Sequence, residues 1–300
     1  MLQPKSSLGV FSFDSNKFVH CSIGTRNQYY RTFYWTREGT LLNIFKRLIR
    51  QRLPIGHIEI RNPKKESIIF GGYAFFFIFA SFCTGLLIRA YPLPILGAAS
   101  FTQDLWYDLL FKLILLLAIP YVIYRKLGYR IKDLPGAFDF RTRGIFICLI
   151  AFIAGNILNL KHLEWIGEVL PNFSRSQIAI RLIAGAILPL ITAGFPEEFV
   201  YRGILQTRIE KVWGRIPAIL FSTTVFTAWH IPTRYLLSHG IEGEAGDFAS
   251  VALGTGVPVF IVGLIFSVLW DRYRKLWPLV FAHWGIDFLP ALSSLFGIEN

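Results

Sequence analysis

Long apolar runs alternate along this chain with short polar segments that are mostly basic. Seven runs have the length and continuity expected of membrane spans, near 68–90, 105–124, 144–160, 178–209, 216–232, 249–270 and 277–296. Ahead of them, residues 1–66 stay polar and basic. Within that segment Leu41, Ile44, Phe45, Leu48 and Ile49 recur at helical spacing, flanked by Lys46, Arg47 and Arg50. The pattern predicts a basic amphipathic helix, either lying on the cytoplasmic leaflet or docked on the protein's own cytoplasmic side. The fourth run is longer than a bilayer needs and carries Gly194 and Pro196 at its centre. Proline removes a backbone donor, so a kinked, discontinuous helix lining a cavity is expected there. The expected fold is all-α: a polytopic membrane helix bundle of about seven transmembrane helices. Residues 1–66 would form an N-terminal cytoplasmic segment and 67–300 the transmembrane domain.

Composition agrees with that pattern. Of 300 residues 53% are hydrophobic and only 17% charged, outside the range of soluble globular chains. The net charge of +12 therefore points to cytoplasmic lysines and arginines facing anionic lipid, and no nucleic-acid motif accompanies it. Basic residues cluster before the first run, between the second and third, and at Arg208-Lys211-Arg215 and Arg272-Arg274-Lys275. The intervening loops are weakly charged or acidic. This alternation places the N-terminus in the cytoplasm and the C-terminus outside. Residues 1–30 lack the apolar core of a signal peptide, and the last residues are not a lipidation signal. Cys21, Cys83 and Cys148 have neither metal nor disulfide spacing and read as small apolar residues.

The candidate chemistry sits inside the apolar runs. Phe195-Pro196-Glu197-Glu198-Phe199-Val200-Tyr201-Arg202-Gly203 buries two carboxylates and a guanidinium. Charges at membrane depth need a partner or a function. Glu198 and Arg202, four residues apart, share a helix face and can neutralise each other, which leaves Glu197 for chemistry. His230 lies in the fifth run, and His283 and Asp287 share a face of the seventh. At about 1.5 Å per residue, Glu197 is ~21 Å from Lys211, His230 ~22 Å from Arg215, Asp287 ~18 Å and His283 ~12 Å from Lys275. Three helices thus bring four titratable groups to one layer. Such a layer suits hydrolysis, with a carboxylate and imidazole taking a proton from water and further donors at the oxyanion. The same four, Glu197, His230, His283 and Asp287, could instead hold a divalent metal such as zinc, although no His-Glu-x-x-His pattern is present. Against these stand blander readings: single histidines as packing residues, Glu198–Arg202 as a structural pair, Phe226 and Phe281 as packing, or the polar groups as a transporter's proton relay.

The series Glu197-Glu198-x-x-x-Arg202, Phe226-x-x-x-His230 and His283-x-x-x-Asp287 resembles the three-motif signature of the CPBP intramembrane proteases. That family includes CAAX-processing endopeptidases and Abi-type bacteriocin-processing and immunity proteins. The resemblance spans about 178–296, including the glycine-containing sixth run around Gly263. It implies an endopeptidase with its site within the bilayer, acting on a membrane-associated protein or peptide, and here a bacterial inner-membrane location is expected. It also implies that Glu197 activates water with His230, that His283 and Asp287 stabilise the oxyanion, and that Arg202 orients the glutamate pair. Asp287 departs from the Asn that many members carry. A protonated Asp could donate as Asn does, whereas an ionised one would bind metal or orient His283. A non-catalytic immunity or scaffold protein and a proton-coupled transporter are the alternative functions.

Overall fold

A computed structural model describes residues 59–90, 107–134, 142–238 and 242–297. The amphipathic stretch Leu41–Arg50 and nearly all of the basic N-terminal segment lie outside these residues. Every element among the described residues is helical. Helix α1 is Pro63–Ala90, and α2 runs as a π-helix over Tyr107–Ala118 and as an α-helix over Ile119–Lys126. Next come α3, Thr142–Asn156, and α4, Lys161–Val169. Helix α5 is the long Arg175–Trp213, followed by α6, Arg215–Leu237, α7, Phe248–Tyr273, and α8, Leu276–Leu295. Each of the seven expected apolar runs is therefore helical over nearly all of its described residues.

Three of these helices, α1, α5 and α7, are long and apolar enough to cross a membrane. A fourth span results if the bent pair Gly144–Asn159 and Lys161–Asn172, folded by 75°, is one crossing. This makes the chain an integral membrane protein, and among the described residues length and apolarity alone identify three or four of the seven expected spans. Helices α6 and α8 are also long enough to span but are not among these three.

Local sequence explains the helix starts. Asn62 precedes Pro63, its Oδ1 accepting from Lys65 N–H at 3.1 Å, while Glu66 Oε1 reaches back to Asn62 N–H at 3.1 Å. Ser174 and Gln177 form a capping box that starts α5 at Arg175, three residues before the hydropathy pattern places it. Asp247 caps α7 through Ala249 and Ser250 N–H.

The expected discontinuity of the fourth run takes another form. Helix α5 continues through Pro196 as one 39-residue helix whose hydrogen-bond register changes: π over Leu190–Gly194, α over Phe195–Glu197, π again over Glu198–Gln206. A π-turn absorbs the donor that proline lacks without ending the helix. The central core is aromatic, with Phe77, Phe111 and Trp229 packed together and Phe77 and Phe111 stacked at 4.6 Å between ring centroids. Helices α3 and α8 cross backbone to backbone. A methyl on Gly155 would overlap the Ala282 carbonyl oxygen, and one on Gly285 the Phe152 carbonyl oxygen. That crossing fixes α8 between His283 and Asp287. At one end of α1, the buried Glu66 pairs with Arg208 at 2.9 Å and accepts from Tyr129 O–H at 2.8 Å. Burial raises the Tyr129 phenol, and the carboxylate it donates to adds to the rise.

Candidate active site

The expected residues converge. Glu197 and Glu198 project from the α-to-π junction of α5, both buried. Glu198 Oε1 accepts from Arg202 Nη1 at 3.1 Å, the i, i+4 pair read from spacing. The other arm of Arg202, Nη2, donates to the Gly263 carbonyl on α7 at 3.1 Å, and its guanidinium lies 4.3 Å from the Phe226 ring centroid. Gly263 has no side chain because Phe226 passes there: an added Cβ would sit 2.9 Å from the Phe226 ring. The glycine of the sixth run thus opens its carbonyl to Arg202.

His283 on α8 lies between the two glutamates. Its Nδ1–H donates to Glu198 Oε1 at 2.8 Å, and its Nε2 lies 3.6 Å from Glu197 Oε2 and 3.5 Å from Asp287 Oδ2. Glu198 therefore does more than neutralise Arg202, since it also sets the ring of His283. His230 on α6 donates Nδ1–H to the Phe226 carbonyl one turn earlier, at 2.8 Å. That bond leaves Nε2 as an acceptor, 3.9 Å from Glu197 Oε2. Glu197 Oε2 is buried and has no hydrogen-bond partner among the described residues. Asp287 is the outermost of the group, its side chain about a third exposed at 35%.

Lys112, absent from the residues picked out by pattern, also reaches the site. Its Nζ lies 3.5 Å from Glu197 Oε1 and 5.8 Å from the centroid of the Trp229 ring. The signal was in the sequence as a lone ammonium in the apolar stretch Leu110-Phe111-Lys112-Leu113-Ile114.

Among the described residues, no group of three or more His, Cys, Asp or Glu is placed to hold a metal ion. His230 and His283 keep Nε2 toward Glu197 Oε2, while the Lys112 ammonium faces Glu197 Oε1 at 3.5 Å. A dication beside Lys112 would meet a like charge.

Residues 179–289 match the family model described as type II CAAX prenyl endopeptidase Rce1-like. This is the protease family expected from the three motifs, and the matched segment holds all seven motif residues, Glu197, Glu198, Arg202, Phe226, His230, His283 and Asp287. Neither the search of curated proteins nor that of solved structures found a match.

Proposed function

We propose, from a chain whose residues 179–289 match a CAAX-endopeptidase family, that this protein is an intramembrane endopeptidase of the glutamate type. The observation that carries the reading is the pair of acceptors Glu197 Oε2 and His230 Nε2, 3.9 Å apart in a buried site. One water can donate to both with hydrogen bonds of about 2.8 Å. Held so, its oxygen lone pair is free to attack a peptide carbonyl. Glu197 Oε2 takes the water's proton as the C–O bond forms, then passes it to the amide nitrogen as the C–N bond breaks. The products are a new carboxyl terminus and a free amine.

The remaining residues position and stabilise. With Nδ1–H held by Glu198, His283 turns Nε2 to the same space and, as the imidazolium with both ring nitrogens protonated among Glu197, Glu198 and Asp287, donates Nε2–H to the oxyanion. Arg202 fixes Glu198, so it acts on the reaction through Glu198 and His283. Asp287 Oδ2 lies beside His283 Nε2, which favours an orienting role for Asp287 over direct contact with the oxyanion. The family match does not favour a scaffold or a transporter.

The test is cleavage by the full-length protein in vesicles of phosphatidylcholine and phosphatidylglycerol. Two internally quenched peptides serve as probes, one carrying farnesyl-cysteine followed by three residues and the other its unprenylated twin. Cleavage of at least one is expected. Glu197→Gln and His230→Ala are each expected to lower kcat by about 10²–10⁴-fold. Wild-type rates in Glu197→Gln, or no cleavage of either probe by the wild-type protein, would overturn the reading.

A further inference from the structure

Glu197 and Glu198 are adjacent carboxylates in the apolar interior, with side chains 1% and 0% exposed. Removing one such charge from water is expensive unless an opposite charge stands beside it. Arg202 serves Glu198, and its other arm is occupied by the Gly263 carbonyl. Glu197 meets a different cation, the Lys112 ammonium, 3.5 Å from Oε1. Lys112 sits in the π-helical half of α2, outside the segment that matches the protease family. Its cost in an apolar helix is offset by the same contact. The two oxygens of Glu197 are thereby divided: Oε1 faces Lys112, and Oε2 faces His230 and His283.

We propose that Lys112 is a positioning residue of this site: its ammonium balances the charge of Glu197 and holds Oε1, so that Oε2 alone is presented between the two imidazoles. The catalytic consequence rests on the function proposed above, whereas the pairing itself does not. Lys112 acts through Glu197 and needs no contact with the substrate. A longer guanidinium can replace it, but a neutral side chain of similar shape cannot.

Two readouts test this on the full chain. The first is a double-mutant cycle of thermal stability in detergent, using Lys112→Met, Glu197→Gln and the double variant, and it needs no activity. Lys112→Met is expected to lower Tm by several degrees when Glu197 is present and to change it little when Gln stands there. The second is cleavage of the quenched peptides. Lys112→Met is expected to lose at least tenfold in kcat with KM within about twofold of wild type, and Lys112→Arg to recover to within about threefold of the wild-type rate. If Lys112→Met does not accumulate, Lys112→Gln takes its place in both. Additive Tm changes overturn the pairing. Wild-type turnover in Lys112→Met, with Glu197→Gln inactive, overturns the positioning role and leaves the protease reading intact. Full activity in Glu197→Gln removes the protease mechanism but not the pairing.

Discussion

Arg202 has two occupied arms, and the two are not interchangeable. Nη1 serves Glu198 and Nη2 serves the Gly263 carbonyl, a fork that lysine cannot reproduce. Arg202→Met leaves Glu198 as a buried anion with only His283 beside it. The expected loss is about 3–5 kcal/mol of stability, read as a fall in the melting temperature in detergent. Arg202→Lys is expected to retain part of that stability and little activity, because Gly263 and Glu198 cannot both be reached. The Glu198–Arg202 contact was legible in the sequence because a helix brings i and i+4 together whatever surrounds it. The Lys112–Glu197 contact was not, since it joins two helices distant in sequence and no local rule relates them. His283 shows the same limit. Its spacing gave Asp287 as a neighbour, while the shorter bond to Glu198 depends on how α8 meets α5.

At the scale of the helix, the pattern of apolar runs located seven of the eight helices and passed over α4. Proline at position 196 suggested a break, whereas the backbone answers with a change of hydrogen-bond register that keeps α5 whole. The third run, near 144–160, turns by 75° at its end into α4, a helix the pattern did not mark; Asn159 Nδ2 at the turn donates to the Ile286 carbonyl, and His162 Nδ1 on α4 bonds Ser293. Hydropathy carries no record of direction, so a bend between two apolar stretches leaves no mark in it. Glycine does leave one, but only after the partner is known. Gly155 and Gly285 look like weak helix positions until the α3–α8 crossing shows that neither site has room for a side chain. Gly285→Leu is expected to force the two helices apart, with a stability loss of about 1–3 kcal/mol or more and a displaced His283. A lowered melting temperature together with reduced cleavage would bear this out. Gly72, which has open space around it, is the control, and Gly72→Ala is expected to change neither.

For the whole molecule, the alternation of basic and acidic loops predicts an odd number of crossings, with the N-terminus in the cytoplasm and the C-terminus outside. A reporter fused after Asn300 is expected to be active only if its enzyme works outside the cytoplasm, such as alkaline phosphatase. A fluorescent-protein fusion at the same position should be dark, and the reverse pattern would require an even count. Among the described residues, helical length and apolarity alone secure three crossings, and a fourth if the bent pair is one.

Two buried ion pairs straddle residue 179: Glu66 with Arg208, and Lys112 with Glu197. The stretch that matches the endopeptidase family is therefore not a detachable module. Excised from its first two helices, it would strand one cation and one anion in oil, and inheritance of the catalytic motifs by themselves would not transmit a working machine.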